Sequence, residues 1–443
     1  MSVSSVIVEP VSGPLSFLDL HRSQPKRYPY LLSSAAGVAG EVQYDILFAV
    51  DGDADYFTEH ALDSLDARFK TQATKVERCS LPFYGGWFVY LGYELAEHVE
   101  PSLNLPMFSQ LPPVILHRAP AALIRVKDSQ EIFAVAEPEY RGHIDQLLTD
   151  ITALESGPSE PGPILSGLIQ EQDEAPFLNS VNRARDYIYA GDIFQANLSR
   201  RWSAKLKSRA SAADVYERLL KNNPAPFAAL ACFDGEQAIV SSSPERLLEI
   251  RDGYVQTRPI AGTRPRGATM FDDSQLSQEL FASEKERAEH VMLIDLERND
   301  LGRICVPGSV SVDEFMALES YAHVHHIVSN VRGQLRPGTT PAQAIAAVFP
   351  GGTITGCPKV RCMEIIAELE GEARGPYTGS LGYLNRDGSL DLNILIRTLH
   401  LSGRELSLRA GGGIVADSEP VHELAETRAK ARGLLLALDS FYE

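Results

Sequence analysis

Between residues 1 and about 155 the chain returns repeatedly to short apolar runs fenced by turn residues, a spacing that few folds accommodate. Tyr44-Asp-Ile-Leu-Phe-Ala-Val, Gly85-Gly-Trp-Phe-Val-Tyr-Leu-Gly-Tyr and Glu131-Ile-Phe-Ala-Val-Ala have the length and composition of strands. Ser156-Gly-Pro-Ser-Glu-Pro-Gly-Pro is the stretch richest in Pro and Gly, and it is read as the start of a linker over 156–175. From about residue 176 strands mix with helical periodicity, and two long helices are expected near 284–302 and 420–438. No repeat of about 20–50 residues is present. The pattern predicts an α+β chain with two β-rich layers and helices outside them: a β-rich region over 1–155, the linker, and a second region over 176–440.

Composition removes several classes of function. A net charge of −18 argues against a nucleic-acid partner, because phosphate binding needs basic stripes. No run approaches the roughly 18 apolar residues of a membrane span. Met1-Ser-Val-Ser-Ser-Val lacks the basic and apolar regions of a secretory signal. The five cysteines are scattered, and Cys357 and Cys362 have no second pair at zinc-like spacing. These features are those expected of a cytoplasmic protein with reduced thiols. An acidic protein handles an anionic substrate only where cations are concentrated, as a metal or as clustered Arg and Lys.

Both long helices carry paired carboxylates. Glu286 and Glu289 share one face of the first, and Glu423 and Glu426 repeat the spacing on the second, where Pro420 suits the opening turn. Four such carboxylates could converge on a hard cation, Mg²⁺ above all. Taken alone the spacing favours the bland alternative: Ser283 with Glu286 is a capping pattern, Glu426 with Lys430 is an ordinary ion pair, and Glu-rich turns are commonly solvated.

A series of ordered motifs surrounds these helices: Gly191-Asp-Ile-Phe-Gln-Ala-Asn-Leu-Ser, Ser243-Pro-Glu-Arg, Arg258-Pro-Ile-Ala-Gly-Thr-Arg-Pro-Arg-Gly, Lys285-Glu-Arg-Ala-Glu-His and Asp295-Leu-Glu-Arg-Asn-Asp-Leu-Gly-Arg. Val324-His-His-Ile-Val-Ser, Phe349-Pro-Gly-Gly-Thr-Ile-Thr-Gly-Cys-Pro-Lys, Tyr377-Thr-Gly, Ile396-Arg-Thr and Gly411-Gly-Gly-Ile-Val follow. Over residues 180–435 the chain resembles the chorismate-utilising family, which includes component I of anthranilate synthase and of aminodeoxychorismate synthase as well as the isochorismate and salicylate synthases. The resemblance implies a two-layer β-sandwich of roughly orthogonal sheets with outer helices and a cleft between the layers. It places Glu289 and Glu426 as direct Mg²⁺ ligands, and Glu286 and Glu423 as holders of metal-bound water.

The resemblance also implies the remaining roles. Mg²⁺ on the ring carboxylate of chorismate would draw electron density away and favour addition at C2. Arg397 and Tyr377 would hold the enolpyruvyl carboxylate, Arg with its bidentate fork. Gly411, Gly412 and Gly413 would offer backbone N–H groups to a carboxylate. Lys430 would either reach a substrate carboxylate or balance the glutamates, and Thr355 is expected to contact substrate. Loss of the C4 hydroxyl needs a proton donor, and Glu245 and His326 stand at the matching positions.

Gln195 bears on the nucleophile. Hydroxylating relatives carry a lysine there to activate water, and an amide cannot act as that base, so ammonia is implied. The amine-forming relatives take ammonia from a separate glutamine amidotransferase subunit, and because this chain shows no Cys-His-Glu triad motif the resemblance implies such a partner. For the ring position, Ala261 in Pro-Ile-Ala-Gly-Thr resembles anthranilate synthases, which aminate C2. Leu31-Leu-Ser-Ser, Tyr44-Asp-Ile-Leu, Asn223-Pro-Ala-Pro-Phe, Asn197 and the Thr-Ile-Thr-Gly-Cys-Pro-Lys loop resemble the branch that aminates C4, whose product passes to aminodeoxychorismate lyase. The weight falls on C4 amination. With Ala261 in place of a nucleophilic lysine, the expected route is a non-covalent 2-amino intermediate. A catalytically inactive chorismate-binding subunit is the remote alternative.

Overall fold

The computed structural model describes residues 5–36, 42–76, 79–154, 162–267, 269–320 and 324–438. The apolar runs form strands at Tyr44–Ala49, Gly86–Leu91 and Ile132–Ala136, and the Glu-rich segments form helices Glu284–Gly302 and Pro420–Leu438. Within a strand, alternation decides which layer each side chain enters. Phe88 and Tyr90 face one cluster, whereas Trp87, Val89 and Leu91 face another, so the whole run is buried. A strand covered on both faces reads as a continuous apolar stretch rather than an alternating one.

The strands make two sheets, and every ladder between named strands among the described residues is antiparallel. In the larger sheet Tyr30–Ser33 pairs with Phe227–Phe233, and the order continues through Gln237–Ser243, Thr398–Ser402 and Glu405–Ile414 to Gln195–Lys205. In the smaller sheet Gly86–Leu91 pairs with Ser380–Asn385, and the order leads to Arg246–Arg251, Val324–Gln334 and Ile260–Pro265. Each sheet thus takes strands from both sides of residues 155–161. Most of the Pro/Gly-rich segment lies outside the described residues; beyond it, Gln170–Glu171 pairs with Gln195–Lys205.

The layer between the sheets has an aromatic centre among aliphatic side chains: Tyr30 stacks on Phe88 with ring centroids 3.8 Å apart, and Phe48 and Phe83 close around them. Outside the larger sheet, the helix Pro420–Leu438 buries Leu424, Ala431, Leu434 and Leu435. Outside the smaller sheet, Ile294 and Leu301 of the helix Glu284–Gly302 join a core with Leu248, Val331 and Ile354. This is the expected α+β architecture of two sheets with helices outside. Among the described residues no helix is long and apolar enough to cross a membrane.

Candidate active site

A cavity of about 130 Å³ opens where the two sheets, the turn Gly352–Ile354 and the helix Pro420–Leu438 meet. Its walls include Asn197, Glu245, His326, Thr353, Tyr377, Arg397, Arg409, Gly411 and Lys430. Six of the residues singled out in the sequence therefore share one wall: Glu245, His326, Tyr377, Arg397, Gly411 and Lys430. His326 and Gly411 come from strands, Lys430 from the helix Pro420–Leu438, and Glu245, Tyr377 and Arg397 from the segments between strands, so only the packing of distant parts of the chain gathers them.

Glu245 is 4% exposed. Its carboxylate accepts from the Thr353 hydroxyl at 2.7 Å and from the Ile260 N–H at 3.5 Å. Burial outweighs these bonds and, with the nearby Glu297 carboxyl, pushes its pKa up to about 8, so it holds a proton at neutral pH. Glu297, itself buried, is pushed up to about 7. His326 is driven the other way: burial, with the Arg397 charge behind it, lowers it to about 3. Its Nδ1 donates to the Gly262 carbonyl at 3.4 Å, which puts the lone pair on Nε2.

Arg397 and Thr378 adopt left-handed backbone conformations, with φ of 51° and 64°. Such conformations cost about 1–3 kcal/mol each and persist only where surroundings enforce them. Here Ser242 N–H donates to the Arg397 carbonyl at 3.1 Å, and Thr378 N–H to that of Leu395 at 2.8 Å. The outcome is that Tyr377 and Arg397 face the same cavity. Burial raises the Tyr377 phenol to about 12, so it remains a neutral donor.

Other expected site residues adjoin Gly411 or lie off the lining. Gly411, Gly412 and Gly413 pair with Ser199, Leu198 and Asn197, while the ladder on the other edge of their strand ends at Leu408. Each glycine makes room for a neighbour. An added Cβ would meet Leu198 O at 2.4 Å at Gly411, the Glu426 and Glu423 carboxylates at 3.3 and 3.4 Å at Gly412, and the Gln195 amide at 2.2 Å at Gly413. Gln195 is buried against Gly413 and does not line the cavity. Ala261 pairs with Ile327 just before a register shift at Gly262, and it too is off the lining. Thr355 departs from expectation: its buried hydroxyl donates to the Gly351 carbonyl at 2.9 Å, and the threonine in the cavity is Thr353.

The four glutamates arrive as two groups. Glu423 and Glu426 stand together over Gly412, and Lys430 pairs with Glu426 at 2.7 Å. Ser283 caps the other helix by accepting from the Glu286 N–H at 3.3 Å, while the Glu286 carboxylate lies over Gly262. Both bland features expected from the sequence are thus present, and they leave the Glu286, Glu423 and Glu426 carboxylates directed toward the sheets. Among the described residues no three His, Cys, Asp or Glu side chains are gathered closely enough to cage a metal.

Sequence reasoning did not pick out Thr353, Glu297 or the ion network behind the cavity. Glu370 accepts from Arg374 at 2.7 Å, Arg409 at 3.0 Å and Ser199 at 2.8 Å, and Arg374 also donates to the Asn197 carbonyl at 2.6 Å. An unusual density of Arg and Glu around 370–374 was the available signal.

A two-sheet α+β fold enclosing a cavity with three cations, Arg397, Arg409 and Lys430, and a buried carboxylic acid describes an enzyme site for a small anionic substrate. The comparisons narrow the class. Residues 22–436 match the model of a chorismate binding enzyme, and the chain belongs to that family, whose members convert chorismate. It is 45% identical over 362 residues to an anthranilate synthase component I-like protein of Synechocystis, covering 81% of this chain and 74% of that one. It is 39% identical over 443 residues to aminodeoxychorismate synthase component 1 of Bacillus subtilis, covering 94% and 93%. The solved anthranilate synthase component I of Streptococcus pneumoniae superposes with a TM-score of 0.79 at 30% identity, covering 90% and 93%.

Proposed function

We propose that the protein is the chorismate-converting component of an aminodeoxychorismate synthase, forming 4-amino-4-deoxychorismate from chorismate and ammonia for p-aminobenzoate and folate synthesis. A glutamine amidotransferase subunit supplies the ammonia, and aminodeoxychorismate lyase takes the product. The observation that carries the amination reading is the pairing of a protonated acid with the lack of a ready base. Among the described cavity residues, Glu245 holds its proton, His326 is a weak base, and Arg397 and Lys430 are cations. A hydroxyl leaves such a site easily, whereas water is hard to deprotonate there; ammonia attacks without prior deprotonation. The reaction is carried by residues 176–440, with residues 1–155 completing the sandwich.

Arg397 and Tyr377 bind the enolpyruvyl carboxylate, and the backbone of Gly411–Gly413, paired on one edge only, faces the other carboxylate. Lys430 is shared between Glu426 and the cavity. Carboxylates are the right donors for Mg²⁺, and the doubling of charge at Glu423 and Glu426 favours a cation between the two helices. Glu289 and Glu426 would ligate it directly, and Glu286 and Glu423 through water. Once bound, it would draw electron density from the ring carboxylate.

For the ring position, support comes from the sequence features that favour C4 and from the relative of that name aligned over nearly the whole of both chains. Ala261 offers no nucleophile, which supports the non-covalent 2-amino route. Anthranilate formation is the second reading, favoured by Pro-Ile-Ala-Gly-Thr and by the Synechocystis relative. The test is incubation with chorismate, Mg²⁺ and ammonium, followed by chromatography with and without aminodeoxychorismate lyase. The expected products are 4-amino-4-deoxychorismate and, with the lyase, p-aminobenzoate. Anthranilate as sole product overturns the C4 reading, and a covalent adduct in the intact mass overturns the non-covalent route.

A further inference from the structure

Gln195 is the residue that the sequence ties to the choice of nucleophile, yet it lies outside the cavity wall. Asn197, two residues on and on the same face of the strand, is in the wall. It is 8% exposed, and its Oδ1 is buried without a hydrogen-bond partner. Burying an amide carbonyl unpaired is costly, so its retention in a cavity wall calls for a donor that arrives with the ligand.

The surrounding bonds fix this carbonyl in place. The Asn197 N–H donates to the Thr355 carbonyl at 2.8 Å, and its own backbone carbonyl accepts from Arg374 at 2.6 Å. Its Nδ2 donates to the Thr353 carbonyl at 3.4 Å, which settles which end of the amide is the acceptor. Gly411 leaves the space: a Cβ there would stand 3.0 Å from Oδ1. Thr353 therefore holds two groups, Asn197 through its backbone carbonyl and Glu245 through its hydroxyl.

We propose that the Asn197 side-chain carbonyl seats the ammonia nucleophile, accepting one of its N–H bonds and leaving the nitrogen lone pair directed at the chorismate ring. The inference rests on the amination reading above. C2, where ammonia adds, and C4, from which hydroxide leaves, are next-but-one carbons of a single ring. Their attendant groups must stand close together, as two groups fastened to one residue do. An amide positions a donor without removing a proton, which suits ammonia and does nothing to activate water. The first step balances: the C–N bond forms at C2 as the C4–O bond breaks, and the Glu245 proton leaves with the hydroxyl as water. The proton shed by the new ammonium returns to the Glu245 carboxylate. In the second step the C4–N bond forms as the C2–N bond breaks, and the Glu245 proton goes to the departing amine, which leaves as ammonia. The incoming nitrogen sheds a proton back to the Glu245 carboxylate, so chorismate and ammonia give the 4-amine and water.

The experiment is initial-rate kinetics of the wild type and Asn197→Leu with chorismate and Mg²⁺, varying ammonium chloride and chorismate in turn. Loss of one hydrogen bond to the nucleophile predicts a rise of about tenfold in the KM for ammonia, with the KM for chorismate within about twofold. Asn197→Ala, which relieves any crowding by leucine, is expected to behave alike, and thermal melting checks the fold of both. An unchanged ammonia KM, or a chorismate KM raised as much, overturns the inference while leaving the amination reading intact. Failure of the wild type to consume chorismate on addition of ammonium overturns that reading and this inference with it.

Discussion

Glu245 and Glu370 are equally deep in the protein, at 4% exposure and 3% of the side chain, and their surroundings drive them to opposite states. Burial raises both. At Glu370 the charges of Arg374 and Arg409, with bonds from Arg374 and Ser199, more than reverse the effect and hold the carboxyl below its usual range. At Glu245 two neutral hydrogen bonds fall short, the Glu297 carboxyl adds to the rise, and the acid stays protonated to about pH 8. A fully paired carboxylate is a structural member that fixes the wall behind Tyr377 and Asn197. An incompletely paired one is a proton store facing the cavity.

Substitutions at the two sites separate these roles. Glu245→Gln keeps the shape and removes the transferable proton; turnover is expected to fall by about 10²–10⁴-fold in a chorismate consumption assay, with the melting temperature maintained. Glu370→Gln leaves two arginines buried beside a neutral amide; denaturant titration is expected to show a loss of about 3–5 kcal/mol. A result in which Glu370→Gln is stable but inactive, or Glu245→Gln is unstable, would abolish the distinction. Arg397→Lys, which loses the planar fork, is expected to raise the chorismate KM by about tenfold. The smallest effect belongs to Glu297→Gln. Removing its negative charge lowers the Glu245 pKa, so the alkaline fall in kcat/KM moves to lower pH by less than about one unit.

The two carboxyls also differ in how pH bears on stability. A carboxyl raised on folding, such as Glu245, stabilises the protein fully at pH below its unfolded pKa, and that contribution is lost as pH rises through about 8. Glu370, depressed on folding, contributes above its unfolded pKa, and the contribution is lost as pH falls through its lower folded value. Glu245→Gln should therefore flatten the decline of melting temperature between mildly acidic pH and about pH 8.

Much of this was legible in the sequence because it depends on local pattern. The strand at Gly86–Leu91 and the helices Glu284–Gly302 and Pro420–Leu438 follow from apolar runs and periodicity. Six cavity residues followed from motif resemblance. Thr353 could not be told from Thr355, since the turn at Gly352–Ile354 decides which hydroxyl reaches Glu245. Glu297 sits in a helix dense with charge, and only packing against the smaller sheet distinguishes it from its solvated neighbours. The space beside Asn197 Oδ1 depends on Gly411 lying diagonally across the ladder, two residues from the Gly413 that pairs with Asn197, a matter of register between segments some 210 residues apart.

The pH dependence of kcat/KM for chorismate, measured in the wild type with ammonia in excess, tests the role of Glu245 most directly. A falling alkaline limb centred near pH 8, absent from the residual activity of Glu245→Gln, is the expected result. A profile flat through about pH 10, or the same limb retained in Glu245→Gln, would contradict it.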